Sequence, residues 1–296
     1  MSEGEAARLE AYLAQRDRLI RLAYRYLGSV SEAEDAVQDA WLRFAAAPEA
    51  AEPSRYLSRI VTNLCLDRLK SARARRETYV GPWLPEPIAG ATEPDTASDA
   101  ALDISYGVMR ALEQLTPEER AVLFLHDLFD LTFDEIAETL HRSSAACRQM
   151  AVRARSALSR SKPRFSPSED DLNRFMAGFS QTLQSGDLQP LKAVLAQDVE
   201  YVSDGGGKVA AALNVVSGAD NVTRLLLGLA RKFVGEVAMD IRMEFINGEL
   251  GLVLALDGQL DQTMSFALDE HGAISAIYVV RNPDKLTGFS PGALKA

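Results

Sequence analysis

The chain has 296 residues, length for roughly two or three domains, and its 47% apolar and 25% charged content excludes wholesale disorder and collagen-like or low-complexity architectures. Two cysteines, Cys65 and Cys147, stand far apart without metal-ligand spacing, which argues against a disulfide framework or a metal site and for a reducing compartment, the cytoplasm. The net charge of −10 disfavours a polyanionic partner only until the chain is divided: residues 1–80 carry +1, 81–140 carry −11, 141–164 carry +7 and 165–296 carry −7. Within the first piece, residues 55–76 hold seven bases against Asp67 alone. Two basic islands in an acidic chain suit a protein that meets a polyanion at two places and repels it elsewhere. The acidic start is unlike a secretory signal, and no apolar run approaches the roughly 18 residues of a membrane span.

The first 77 residues read as helices. Leu9, Leu13, Leu19, Ile20, Leu22, Ala23, Tyr26 and Leu27 form an apolar stripe that Gly28 closes as a C-terminal cap. Ser31 and Glu34 have capping-box spacing for a second helix, with Ala36, Val37, Ala40, Trp41 and Phe44 on its core face and Pro48 and Pro53 beyond it. A third helix is expected over about 54–76, with Tyr56, Leu57, Ile60, Val61, Leu64 and Leu69 inward and the first basic island at its end, where arginines also suit the helix dipole. From Gly81 to Asp99 prolines and glycines mark a linker, yet Trp83, Leu84 and Ile88 make a freely solvated tether an unsuitable reading; the segment is expected to dock in a groove.

Helices resume over 100–162. Thr116, Pro117 and Glu119 form a helix start, and Phe133–Leu140, the turn His141–Ser143 and Ser144 to about Arg160 have helix-turn-helix proportions. Cys147, Ala151, Ala154 and Leu158 share one stripe, leaving Arg148, Gln149, Val152, Arg153 and Arg155 outward. Helix pairs with short turns also occur in proteins that never meet DNA, but a merely solvated face mixes charge signs and this one does not. Arg148 and Gln149 would reach base edges while Arg142, Arg153 and Arg155 meet phosphates. Asn63 would hydrogen-bond an exposed base, with Tyr56 as a stacking surface.

After a second linker at Lys162–Pro167, helices are expected at about 170–184, 187–196 and 219–233. A strand at 199–203 leads to the loop Asp204–Lys208, and strands near 237–245, 249–256, 259–268 and 273–281 form a meander turned at Asn247–Gly248 and Asp257–Gly258. The fold class expected is multidomain, two all-α domains followed by an α+β domain.

The run Asp35 to Phe44, with Tyr56, Leu57, Ile60, Asn63, Leu64, Asp67 and Arg68, resembles region two of bacterial extracytoplasmic-function sigma factors. Leu115, Thr116, Pro117, Glu118 and Arg120, with Thr132, Glu135, Ile136, Ala137 and the helix at 144–160, resemble region four. Trp83–Leu84–Pro85–Glu86–Pro87, Asp204–Lys208 and Asn282–Leu286 are similar to signatures of the subgroup with a fused SnoaL-like, cone-shaped C-terminal domain. His141 departs from the glycine common in the turn, and Met150 and Val152 from the polar groups usual there. The resemblance implies region two over 1–79, a linker over 80–100, region four over 101–164 and a SnoaL-like regulatory domain over 165–296.

It further implies that Asp35, Gln38, Asp39 and Arg43 bind core RNA polymerase. Promoter DNA would be met by Asn63, Arg68, Arg73, Arg75 and Arg76 at the minus-ten element and by Arg142, Ser144, Arg148, Gln149, Arg153 and Arg155 at minus thirty-five. Regulatory contacts would join Trp83, Leu84 and Pro85 to Asp204, Gly205, Gly206, Gly207 and Lys208 and to Asn282, Pro283, Asp284, Lys285 and Leu286, fixing how regions two and four sit. No cofactor, metal or membrane partner is expected, the free protein is expected to be a monomer, and a small-molecule ligand in the C-terminal domain is an open expectation.

Catalysis by that domain would need an acid or base inside it, and Asp204, Asp240, Glu244 and His271 are poor candidates, so no enzyme is expected. The alternative is a stand-alone, ligand-responsive regulator that reads an operator without polymerase and pairs to do so.

Overall fold

The computed structural model describes residues 3–47, 52–77, 79–90, 105–160, 165–232 and 237–289, without the side chains of residues 3, 4, 70–77 and 160. The chain forms two compact units. One is drawn from residues 3–77 and 108–160; the other from 79–90, 105–107 and 165–289.

The first unit is helical. Helix α1 (Glu3–Leu27) ends at Gly28, whose φ of 69° lets its N–H reach Tyr24 O at 2.7 Å. Helix α2 (Val30–Ala46) is capped by Ser29, which accepts from Glu32 N, and not by the expected Ser31; Ser29 takes the extended backbone a cap requires, so Ser31 falls inside the first turn. Helix α3 (Pro53–Glu77) completes a three-helix core around Leu19, Leu22, Ala23, Ala36, Val37, Leu57 and Val61.

Helix α4 (Tyr106–Leu112) is short, and α5 (Pro117–Asp127) and α6 (Phe133–Leu140) each start with a full capping box, Thr116 with Glu119 and Thr132 with Glu135. His141, at φ 54°, makes the left-handed turn into α7 (Ser144–Arg160). That conformation suits glycine, and histidine is tolerated there more often than most residues. Phe124 of α5 meets Tyr26 of α1 edge-on with ring centres 5.0 Å apart, so the two helical segments share a core.

In the second unit α8 (Glu169–Ser185), α9 (Gln189–Lys192) and α10 (Ala219–Arg231) accompany a six-stranded sheet. Its strands are β1 (Leu195–Asp204), β2 (Val216–Ser217), β3 (Met239–Ile246), β4 (Glu249–Leu256), β5 (Gln259–Leu268) and β6 (Ile274–Val280), in the order β2-β1-β6-β5-β4-β3. β1 and β6 are parallel and the other pairs antiparallel. The helix expected over 187–196 shrinks to α9 because Leu195 pairs with Ile274 and Val194 O accepts from Ile274 N, drawing the segment into the sheet. Asn247–Gly248 and Asp257–Gly258 all have positive φ, as two-residue hairpin turns demand.

Both faces of the sheet are covered. Leu172, Phe175, Leu191, Val222 and Leu226 pack on Phe266, Ile277 and Val279. On the other face Leu84, Tyr106, Leu286 and Phe289 cluster with Val202, Ile246, Val253, Ala276 and Tyr278. The proline-rich segment after α3 is therefore part of the second unit's core and not an independent linker; a buried leucine such as Leu84 contributes about 1.5–3 kcal/mol that a solvated tether would forgo. Residues 91–100 of the expected linker lie outside the described residues.

Candidate nucleic-acid interface

Helix α7 buries Cys147, Met150, Ala151 and Ala154, with Leu158 half-buried. The small residues let it approach α5 closely, and Met150 serves this core instead of the outer face. The outer face carries Arg148, Gln149, Val152, Arg153 and Arg155, all exposed, Val152 to 66%. Ser143, the last residue of the expected turn, caps the helix by accepting from Ala146 N at 3.2 Å. Ser144 Oγ is buried without a hydrogen-bond partner in the structure.

Each flanking arginine is met by a carboxylate of α5: Arg142 by Glu118 at 2.8 Å, Arg153 by Glu119 at 2.9 Å and Arg155 by Asp127. Arg142–Glu118 and Arg155–Asp127 are exposed on both sides, surface pairs of about 0–1 kcal/mol each that phosphate oxygens can replace, whereas Arg153, 61% exposed, meets a Glu119 side chain that is only 13% exposed and is held by the Thr116 cap as well. Burial raises the Glu119 carboxyl, but hydrogen bonds from Arg153 and from the Thr116 cap outweigh it and hold it below its ordinary value. Arg148 is the exception, its guanidinium lying 5.5 Å from the Phe133 ring centre with no carboxylate among the described residues.

On α2 the outward offsets place Asp35, Gln38 and Arg43 on an exposed face opposite buried Ala36, Val37, Ala40 and Phe44. Asp39, on the same face, is half-buried and pairs with Arg68 at 2.7 Å, and Arg68 also donates to Glu32 O at 2.9 Å. Arg68 thus braces α3 against α2, and nucleotide contact would require it to leave Asp39. Asn63 and Tyr56 are half-buried, and the Tyr56 ring centre lies 6.1 Å from that of Phe44. The side chains of Arg73, Arg75 and Arg76 lie outside the described residues. Earlier on α3, Arg55 donates to Asp130 O at 3.0 Å and Arg59 to Thr139 Oγ1 at 2.8 Å, so part of the first basic island joins the loop before α6 and α6 itself.

The residues singled out in the second unit are brought together around Asp204, which is fully buried at the end of β1. One carboxylate oxygen accepts from Tyr79 at 2.6 Å and from Gly206 N at 3.0 Å; the other accepts from Leu84 N and Lys285 Nζ, both at 2.8 Å. Lys285 also donates to Leu84 O and sits 4.3 Å from the Trp83 ring centre, while Asn282 donates to the Tyr79 hydroxyl at 3.0 Å. Burial, with the adjacent Asp204 carboxylate, pushes the Tyr79 hydroxyl up.

Gly206, at φ 61°, lies so close to the Asn282 side chain that a Cβ would collide with it, and a Cβ on Gly205 would meet Val209 O. Lys208 pairs with Asp284 at the surface, Pro283 is exposed and Leu286 is buried. Pro85 O accepts from Tyr106, whose ring stacks on Tyr278 at 5.6 Å, and Asn247 exchanges two hydrogen bonds with Ile88. Sequence reasoning missed Tyr79 and Tyr106, which carry no local signal, and read Asn247 only as a turn.

Residues 11–75 match the family model described as Sigma-70 region 2, and residues 107–158 match Sigma-70, region 4. A helical unit with these two regions defines the chain as a sigma factor. The chain is 37% identical over 286 residues to ECF RNA polymerase sigma factor SigJ of Mycobacterium tuberculosis, covering 93% of this chain and 92% of that one. It is 31% identical over 291 residues to Probable ECF RNA polymerase sigma factor SigI of M. tuberculosis, covering 93% of each. The crystal structure of M. tuberculosis SigJ superposes with a TM-score of 0.73 at 34% identity, covering 96% of this chain and 99% of that one.

The chain belongs to the ECF RNA polymerase sigma factors, factors that direct transcription initiation from promoters through RNA polymerase. That membership displaces the stand-alone operator-binding regulator. Among the described residues no helix is long and apolar enough to cross a membrane.

Proposed function

We propose that α7 enters the major groove of the upstream promoter element. There Arg148 and Gln149 read base edges, and Arg142, Arg153 and Arg155 settle on phosphates in place of Glu118, Glu119 and Asp127; Ser144, expected among these contacts, has its Oγ buried and stays out of them. Val152, apolar and exposed at the centre of that face, would contact a thymine methyl group. Asn63, Arg68, Arg73, Arg75 and Arg76 engage the downstream element as its strands part, and Asp35, Gln38, Asp39 and Arg43 form the face of α2 that core polymerase takes. In the free protein, a monomer in the cytoplasm, the acidic stretch before α7 keeps the basic face partly neutralised until polymerase and promoter are both present.

The second unit is read as a non-catalytic regulatory module. Asp204, its best-placed carboxylate, is consumed by hydrogen bonds to Tyr79, Leu84, Gly206 and Lys285. Asp240, Glu244 and His271 do not line the apolar cavity between α8, α10 and the sheet, and Asp261, which does, is held by Arg281 at 2.6 Å. By holding residues 79–90 through Asp204, Asn282, Lys285 and Asn247, the module sets the path of the chain that connects regions two and four, and so tunes initiation.

The observation that carries this reading is the single-sign face of α7, whose arginines are held by exchangeable surface carboxylates and by an aromatic ring. The test is transcription by core polymerase plus the full chain on a promoter selected from a random library. Initiation that disappears with Arg148→Ala/Gln149→Ala and changes with removal of residues 282–296 is the expected result. Failure to bind core polymerase would remove the polymerase half of the reading, and unchanged initiation by the α7 variant would remove the promoter half.

A further inference from the structure

Among the arginines at α7 and the turn before it, Arg148 is held differently. Arg142 donates through Nε and Nη2 to Glu118 at 3.2 and 2.8 Å, Arg153 through Nε to Glu119, and Arg155 through Nη2 to Asp127, so each spends in-plane donors before any nucleotide arrives. Arg148 is exposed and meets no carboxylate among the described residues; its guanidinium carbon lies 5.5 Å from the centre of the Phe133 ring. That is inside the ~6 Å reach of a cation–π contact, which acts between the cation and the ring face and leaves the N–H fork of the guanidinium unspent.

The ring is itself held in place. Phe133 is the first residue of α6, directly after Thr132, whose hydroxyl accepts from Glu135 N at 3.3 Å while Glu135 accepts from Thr132 N at 2.8 Å. The capping box therefore fixes the backbone that carries the ring. Two residues earlier Leu131 is fully buried, and its carbonyl oxygen lies 2.9 Å from His126 Nδ1. A carbonyl only accepts, so that nitrogen is the donor. The His126 ring, tied in this way in the last turn of α5, lies 4.3 Å from the Phe133 ring centre to centre, with the planes 31° apart.

This arrangement matters because of where Arg148 stands. It is the fifth residue of α7, and in a helix-turn-helix the N-terminal residues of the second helix reach base edges. A guanidinium with a free fork matches the O6 and N7 acceptors of guanine, and a long side chain already held loses less freedom when it binds.

We propose that Phe133, steadied by His126, is a positioning residue for promoter reading: it holds Arg148 with its N–H fork open to the major groove, and the base so read is a guanine of the upstream element. This role presupposes Arg148 as the base reader proposed above and adds what aims it and which base it selects.

The full chain with core polymerase is titrated by gel shift on the selected promoter and on single-base variants across its upstream element. Wild type should prefer guanine at one position by about tenfold or more, as a bidentate arginine pair provides, and Arg148→Ala should remove that preference. Phe133→Leu, which keeps apolar volume and removes the ring, should cut the preference about two- to fivefold and leave the other positions unchanged. Phe133→Tyr, which keeps the ring, should restore it. In the Arg148→Ala background Phe133→Leu should add nothing. His126→Leu, which frees the ring without removing it, should lower the preference in the same direction and carries the test if Phe133→Leu lowers the melting temperature.

Arg148→Ala without effect on base preference would overturn Arg148 as the reader, and the role of Phe133 with it. Lost preference in Arg148→Ala beside an unchanged preference in folded Phe133→Leu and His126→Leu would overturn the positioning role alone. So would equal weakening on every promoter variant, a further loss in the Arg148→Ala background, or no rescue by Phe133→Tyr. A preference carried by Arg148 for another base would overturn the choice of guanine.

Discussion

Two ionic clusters in this chain use similar groups under opposite conditions. At α7 and the turn before it the arginines are exposed and carry one sign; Arg142, Arg153 and Arg155 rest on carboxylates of a neighbouring helix, and Arg148 lies over the Phe133 ring. Around Asp204 the ion pair is buried, and each carboxylate oxygen has two donors. Exposed pairs contribute little and exchange partners readily, which a surface that must receive phosphates requires. A buried pair is costly to break and holds one geometry, which a clamp on a connecting segment requires. Charge at the first site is available for function because it is not committed to the fold; at the second it is committed.

The contrast is broken most directly at the clamp. Asp204→Ala would leave the Lys285 ammonium and the Leu84 N–H buried without their acceptor and should cost about 3–5 kcal/mol in urea unfolding of the full chain. A loss below about 1 kcal/mol would place Asp204 with the surface pairs.

Arg148→Ala should weaken promoter binding by the polymerase complex by about 1–3 kcal/mol and relax base preference at one position, with unfolding unchanged. Gel-shift titrations on single-base promoter variants measure both; uniform weakening across all bases would make Arg148 a phosphate contact.

The helix starts of α5 and α6 give a pH signature. Hydrogen bonds from Thr132 hold Glu135 below its ordinary value, and those from Arg153 and Thr116, against burial, do so for Glu119. A depressed carboxylate supplies stability that is fully present above its unfolded value and lost as pH falls through the folded one, so the loss belongs below the ordinary glutamate value of about 4.3. Thr132→Ala should cost about 1 kcal/mol at neutral pH and move the acid-unfolding midpoint upward. An unmoved midpoint would show that the cap carries none of the acid sensitivity.

At Arg153→Ala the expected stability loss is under about 1 kcal/mol, while the salt dependence of promoter binding should lose a log–log slope of about 0.9. Unfolding data and a salt series on the same variant check the pair of values. A large stability loss with an intact salt slope would turn Arg153 into a structural residue and erase the comparison.

Much of this was legible in the chain itself. Helical periodicity, the Thr116 and Thr132 caps, the Asn247–Gly248 and Asp257–Gly258 turns and the run of seven bases without an acid are properties of neighbouring residues. Local sterics and short-range hydrogen bonds determine them. The motif spacing also carried the family resemblance, since its parts lie in order along the sequence.

Only the tertiary structure decided which buried groups hold residues 79–90 in the second unit's core, that Arg68 braces α3 against α2, and that Arg281 and Ser203 line one cavity. Those facts depend on partners far apart in the chain, as Tyr79 and Asp204 are at 125 residues' separation. A periodic pattern reports which face of an element is buried, not what buries it. That choice is made when whole faces compete for burial at once, and it fixed where each isolated motif came to rest.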